Sequence, residues 1–489
     1  MRSPGATRLA ASVTVVTFDA ESLGDRSYLV SDGELGVVVD PQRDPLAYLQ
    51  QADKLGVSIV AVLETHIHND YVSGGLALAR ATGATYGIPT GEPVSFADEC
   101  RYLDDGDTLR AGRLEVTAIA TPGHTDHHLA YRVAIVAEAA GDEEPDCVIC
   151  TGGSLLLDAA GRTDLLGEQL AESLARAQWR SVRHLLSTLP AGTRVLPTHG
   201  FGSFCSATPA GGASGSVGTI SEQLAQNPAA LLGEDEFVAT VLADPPPIPA
   251  YYRYMAPLNR KGAAAPLFEP VPALDTAGVA EALQGPRWVV DMRQRRVFAA
   301  GHLPGSLNLE LGPNLTTYLG WLVPFEAEIV LVGEDQGDIT EARRLIAAIG
   351  REDLAAAATF AAAAGTHAGT AAGGAGLGSY PVASFFDLAE AWNTRPGGEL
   401  EVFDVRHPHE WRAGHLAGAR HVPVQVLATE KPELAGSGQI WVHCAAGFRA
   451  AAAASLLSGW GYSPVLVDDT FEHAVASGLP IETDKALPR

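Results

Sequence analysis

Val57-Ser58-Ile59-Val60-Ala61-Val62-Leu63-Glu64-Thr65-His66-Ile67-His68-Asn69-Asp70 joins a β-branched run to two histidines and a carboxylate at alternate positions. A run of this length and composition, bounded by polar residues, reads as a strand. Where the chain leaves that strand and turns, His66, His68 and Asp70 can converge on a metal ion. A single His-x-His is common, so the reading needs support from elsewhere in the chain. Two later segments supply it: Thr121-Pro122-Gly123-His124-Thr125 follows the strand-like Val116 to Ile119, and Leu196-Pro197-Thr198-His199-Gly200 follows another. Three histidine-bearing loops, each leaving a strand, can meet at one edge of a sheet.

The chain has 489 residues, more than one hydrophobic core normally supports, and two to four domains are expected. With 33 Lys and Arg against 58 Asp and Glu the formal charge is −25, which excludes nucleic acid and anionic membranes as natural partners. No apolar run is long enough to span a bilayer and Met1 to Thr14 lacks a basic-then-apolar leader, so a soluble, cytoplasmic protein is expected. Five cysteines make a disulfide framework improbable, and each thiol is judged alone. Cys100, Cys147, Cys150 and Cys205 read as packing residues, Cys205 lying near His199 in sequence.

Residues 1–243 alternate strands (Val13 to Phe18, Leu35 to Val39, Val57 to Leu63, Leu114 to Ile119, Leu129 to Val136, Cys147 to Cys150, Arg194 to Leu196) with helices (Leu46 to Leu55, Gln169 to Leu186), an α/β pattern. Prolines 245, 246, 247 and 249 mark a linker over 244–270. An internal repeat follows. Val289-Val290-Asp291-Met292-Arg293 and Gly301-His302-Leu303-Pro304-Gly305 return about 113 residues later as Val402-Phe403-Asp404-Val405-Arg406 and Gly414-His415-Leu416-Ala417-Gly418. This divides the remainder into α/β domains at 271–365 and 381–489, with an Ala/Gly-rich connection at 366–380.

In the second repeat the run Ile440 to His443 ends at Cys444-Ala445-Ala446-Gly447-Phe448-Arg449, followed by a helix former. A cysteine between a strand end and a helix start faces converging N–H groups and the positive end of the helix dipole, which favours a thiolate or persulfide. These elements, with Asp-x-Arg and Gly-His-x-x-Gly-Ala upstream, resemble the rhodanese family of sulfurtransferases. The resemblance implies that Cys444 carries sulfane sulfur, and that Arg449 and the amides of Ala445, Ala446, Gly447 and Phe448 hold an anionic thio-oxyanion. Cysteine phosphatases space Cys and Arg one residue further apart. In the first repeat Gly333 stands where the cysteine is expected, and Glu334, Asp335 and Asp338 are acidic where an anion cradle is wanted, so that copy reads as a non-catalytic pseudo-rhodanese.

The order of histidine loops from Val13 to Val241 resembles the metallo-β-lactamase superfamily, and the whole chain is similar to bacterial fusions of a persulfide dioxygenase with rhodanese domains. The resemblance implies an αββα sandwich followed by two rhodanese α/β domains with central parallel sheets. It also implies one Fe(II) held by His66, His124 and a carboxylate, with His68 and Asp70 lining the site, orienting ligands or ligating, His199 near a second-metal position or in the pocket, and Tyr71 and Asp164 in the pocket. Tyr71 replaces a further histidine and Gly153 replaces the expected aspartate, which removes the bridge of a two-metal hydrolase. The missing carboxylate is sought at Asp70, Asp158 or Asp164, Asp70 first; Asp164 more naturally orders its loop through Arg162. The implied partners are a low-molecular-weight thiol persulfide, O2, sulfite and thiosulfate, in a sulfide-detoxifying homo-oligomer. A sulfurtransferase with a degenerate metal site and a mononuclear zinc hydrolase are the alternatives.

Overall fold

In a computed structural model of the protein, describing residues 12–136, 146–206, 218–352, 354–365, 376–394, 400–433 and 438–483, the opening run forms the strand Ser58–Leu63. It pairs in parallel with Leu35–Val39 and Thr85–Pro89. A register shift opposite Gly36 and Val37 leaves Val60 as a bulge and changes the strand's alternation there. Ile59 consequently packs outward with Val38, Tyr48 and Leu76, while Ala61 and Leu63 pack inward with Tyr28, Val37 and Val39. Burial on both faces explains why the run is apolar without strict alternation.

Six strands make the first sheet, in the order Thr14–Ala20, Asp25–Ser31, Leu35–Val39, Ser58–Leu63, Thr85–Pro89, Arg101–Leu103. Six more make the second: Gly218–Thr219, Arg194–Pro197, Cys147–Gly152, Leu129–Ile135, Leu114–Ala120, Thr108–Ala111. Inner faces of both sheets share one core, in which Tyr28, Val39 and Leu63 meet Val116, Tyr131, Val148 and Leu196. Helices Leu46–Leu55 and Gly75–Thr82 cover the outside of the first sheet, and Glu168–Thr188 with Glu234–Leu242 the outside of the second. This is the αββα sandwich expected from the sequence. All the histidine loops leave C-terminal strand ends, after Leu63, Ala120 and Pro197.

One expectation changes. The stretch 244–270 is not a free linker, because Tyr252–Lys261 is a helix and 252–266 belong to the N-terminal unit. Asn259 on that helix donates to the carbonyls of His68 and Tyr71, at 2.9 and 2.8 Å, and accepts from the Ser73 amide. The prolines end one helix, but these hydrogen bonds hold the next one against the His66 loop.

The two repeats fall in a single compact unit, residues 249–251 and 267–489. The first has a parallel sheet in the order Leu307–Asn308, Trp288–Asp291, Ile329–Gly333, Ala356–Thr359; the second orders Val382–Ala383, Ser463–Val467, Gln439–His443, Glu401–Asp404, Arg420–His421. The repeated motif is structural in both. Arg293 pairs with Asp291 and donates to the Gly301 carbonyl, and Arg406 does the same with Asp404 and Gly414. Within 355–378 the alanines form the strand Ala356–Thr359 and the short helix Phe360–Ala364; residues 366–375 lie outside the described residues. Among the described residues no helix is long and apolar enough to cross a membrane.

Candidate functional site

The ligand nitrogens of His66, His124 and His199, all fully buried, lie within 4.8 Å of one another. Each ring is anchored at Nδ1. The Thr65 hydroxyl donates to Asp40 Oδ2 at 2.7 Å, so His66 Nδ1–H donates to Thr65 Oγ1 at 2.9 Å. His124 Nδ1–H donates to the Arg162 carbonyl at 2.8 Å, and His199 Nδ1–H to Asp25 at 2.8 Å and Asp70 at 3.2 Å. These partners fix the tautomers and turn all three Nε2 atoms inward. His124 Nε2 has no hydrogen-bond partner, and Nε2 of His66 and His199 are 3.4 Å apart. Two nitrogens bound to one ion at about 2.1 Å sit ~3–3.5 Å apart, so the donor set fits a single transition metal.

Burial and the neighbouring rings push His66 and His124 toward the neutral form, His124 to about 3. Burial also opposes a charge on His199, but Asp70 and Asp25 outweigh it and raise its pKa well above the ordinary range. Carboxylates that favour a proton on this ring favour a metal cation on its Nε2 for the same reason.

The structure redistributes the residues expected around the metal. His199, expected near a second-metal position or in the pocket, joins His66 and His124. His68 places Nε2 at 3.3 Å from both Asp40 and Glu64 and 3.0 Å from the Tyr71 hydroxyl, while its buried Nδ1 has no hydrogen-bond partner, and with Asp70 and His199 it forms a second group able to hold a metal ion. Burial lowers His68, yet Asp40 and Glu64 lift its pKa to about 9, making it an internal counter-ion to two buried acids. Tyr71 holds that ring and donates to the Asp40 carbonyl. Asp70 meets His199 at Nδ1, on the side away from His66, and accepts the Cys205 thiol proton at 3.3 Å. Asp164 forms a two-pronged pair with Arg162, both contacts at 2.7 Å, and so orders the loop whose carbonyl holds His124. Asp158 sits apart, bonded to Gln223.

Gly153 has no room for a side chain: a Cβ there would lie 2.2 Å from His124 Cδ2. Its amide donates to His128 Nε2 at 3.2 Å, which occupies that ring. The space of the missing aspartate is filled by the His124 imidazole. Sequence reasoning missed Asp25, Asp40, Glu64 and His128; of these only His128 carried a signal, in the cluster His124, His127, His128.

In the second repeat Cys444 is buried between the strand Gln439–His443 and the helix Phe448–Gly459, and the Gly447 amide donates to its Sγ at 3.1 Å. Gly447 has φ +90°, and a Cβ there would strike Asp468 at 2.2 Å, so only glycine closes this loop. Arg449, expected to hold an oxyanion, is instead paired through both terminal nitrogens with Glu410. The first repeat reaches this loop. Arg295 bonds Asp468 at 2.6 Å, Tyr318 packs on Phe448 with ring centres 5.3 Å apart, and Trp321 stacks on His407 at 5.1 Å. The first repeat's own turn is closed: Asp338 accepts the Glu334 amide, and Asp335 accepts those of Gly337 and Asp338. Carboxylates thus consume the N–H groups an anion would need, besides the absence of a thiol at Gly333.

Comparison with known proteins matches one segment in each half of the chain. Residues 25–136 match the metallo-β-lactamase superfamily model and residues 387–471 the rhodanese-like domain model. The chain is 27% identical over 248 residues to the human mitochondrial persulfide dioxygenase ETHE1, covering 48% of this chain and 83% of that protein. It is 32% identical over 177 residues to a hydroxyacylglutathione hydrolase of Cereibacter sphaeroides, covering 35% and 61%. A crystal structure of a metallo-β-lactamase from Staphylococcus aureus superposes with a TM-score of 0.62 at 25% identity, covering 71% of this chain and 99% of that one. One chain thus joins a segment that matches the metallo-β-lactamase superfamily to a C-terminal segment that matches the rhodanese-like domain.

Proposed function

We propose that the N-terminal domain oxidises a low-molecular-weight thiol persulfide to sulfite at an iron ion held by His66, His124 and His199, and that Cys444 transfers sulfane sulfur. An enzyme of sulfur metabolism follows from the pairing of a domain related to persulfide dioxygenases with a rhodanese-like domain. The observation that carries the metal reading is the convergence of three Nε2 atoms whose Nδ1 positions are all tied down. Iron bound there would supply the activation of O2. The overall conversion takes persulfide, O2 and water to thiol, sulfite and two protons. Asp25 and Asp70 hold the His199 ring in place and balance the cation's charge; Thr65, through Asp40, does the same for His66. The buried walls exclude water from a reactive persulfide.

In the C-terminal domain the Cys444 thiolate attacks the outer sulfur of a donor, the donor's S–S bond breaks, and the departing sulfur keeps the electron pair. A nucleophilic acceptor then attacks the outer sulfur of the Cys444 persulfide, and Cys444 departs as the thiolate. Linking both activities in one chain raises the effective concentration at which a product of one meets the other.

Metal analysis of anaerobically purified protein, combined with persulfide-dependent O2 uptake, tests the proposal. About one iron per chain with uptake is the expected result. Bound zinc without uptake would favour a mononuclear hydrolase, consistent with the hydroxyacylglutathione hydrolase relatives, and metal-free protein would leave the sulfurtransferase alone.

A further inference from the structure

We infer that Glu410 selects the sulfur donor at Cys444, favouring a thiol persulfide over the thiosulfate dianion. The inference rests on the reading of Cys444 as a sulfur carrier. Both terminal nitrogens of Arg449 donate to the Glu410 carboxylate, one of them at 2.8 Å. Glu410 is itself fixed, because it sits in the first turn of Pro408–Ala413 and accepts the His407 amide at 2.9 Å. Burial raises its pKa, but Arg449 outweighs that and holds the carboxyl down at about 2, so it stays ionised. The only guanidinium in the Cys-to-Arg loop is therefore neutralised, and its fork is turned to a protein carboxylate rather than to an incoming oxyanion.

The groups beside the pair add no positive charge. His407 is neutral, its pKa pushed down to about 3 by burial and by Arg449, and its Nε2 lies 3.3 Å from the Tyr318 hydroxyl. Arg295 of the first repeat also donates to the Ala446 carbonyl of the loop at 3.5 Å, but its charge is balanced by ion pairs with Asp468 and Glu310. What faces the sulfur is the Gly447 N–H and the helix start.

Charge count then separates the donors. A Cys444 thiolate and a protonated persulfide R–S–SH carry one negative charge together. The thiolate takes the outer sulfur, the S–S bond breaks with its electron pair on the departing sulfur, and the proton moves there, leaving Cys444–S–S⁻ and RSH. With thiosulfate the same attack brings three negative charges together and expels SO3²⁻. Backbone dipoles and a neutralised arginine suit the first and oppose the second.

The experiment measures kcat/KM with thiosulfate and with glutathione persulfide, cyanide as acceptor, in the full chain and in Glu410→Gln and Glu410→Asp. Wild type should prefer the persulfide. In Glu410→Gln, which frees the charge of Arg449 at nearly constant shape, the thiosulfate-to-persulfide ratio should rise about fivefold or more. Glu410→Asp keeps the charge and should stay near the wild-type ratio. A wild-type preference for thiosulfate, a smaller rise or a fall in Glu410→Gln, or an equal rise in Glu410→Asp overturns the inference. General damage to the loop would lower both rates and leave the ratio unmoved, which also counts against it. Wild-type protein inert with both donors, or transfer retained in Cys444→Ser, overturns the reading of the loop itself and this inference with it.

Discussion

The metal centre and the cysteine loop are built in opposite ways. Cys444, its Gly447 amide and the helix start lie within a few consecutive residues, and strand, turn and helix follow one another directly. The histidine centre draws on Asp25, Asp40, Thr65, His66, Asp70, His124, Arg162 and His199, from segments spread over most of a domain. A local motif carries its geometry in its spacing. A dispersed one fixes only which residue types are available, and the packing decides which of them meet.

The sharpest break of this comparison is Cys444→Ser, which should abolish thiosulfate:cyanide sulfur transfer while leaving bound metal unchanged; retained transfer would sink the assignment of that cysteine. Next in size, Asp25→Asn should weaken metal binding by ~10–100-fold, as expected for a residue that orients a ligand, measured by competition with a chelator. An unchanged affinity would mean that His199 is not held through Nδ1.

Two substitutions sharpen the contrast through stability. Gly153→Asp restores the aspartate expected from the sequence, yet should destabilise the domain by about 1–3 kcal/mol, because the new side chain overlaps the His124 ring. A denaturation midpoint equal to wild type, with a gain in bound metal, would show that ring to be displaceable. Asn259→Ala removes three hydrogen bonds to the His66 loop and should cost ~1–3 kcal/mol, read the same way. The smallest effect concerns pH. Because the folded-state pKa of Glu410 is depressed, to about 2 from 4.5, its pairing stabilises the fold above pH 4.5 and is lost as pH falls toward 2. The difference in unfolding midpoint between wild type and Glu410→Gln should be constant from pH 7 to about 5 and close below that; a gap that persists at pH 2 would contradict the pairing.

Much of this was legible in the sequence where interactions are short-range. Leu46–Leu55 is the helix that was expected, Ser58–Leu63 the strand, and the cysteine loop needed no tertiary information. What escaped was set by distant partners. The prolines before Tyr252 signal a break in the chain, but nothing local reveals that Asn259 bonds the carbonyls of His68 and Tyr71. Asp40 and Glu64 draw His68 Nε2 into a charged cluster, while Asp25 and Asp70 turn His199 toward His66, and none of these four carboxylates is adjacent in sequence to the ring it orients. Arg449 keeps the position the rhodanese resemblance implies, yet its partner lies 39 residues upstream.

The most direct test of the histidine centre is metal content in three proteins purified alike: wild type, His199→Ala and His68→Gln. The account predicts about one ion per chain in wild type and in His68→Gln, and essentially none in His199→Ala. Metal retained in His199→Ala and lost in His68→Gln would contradict it.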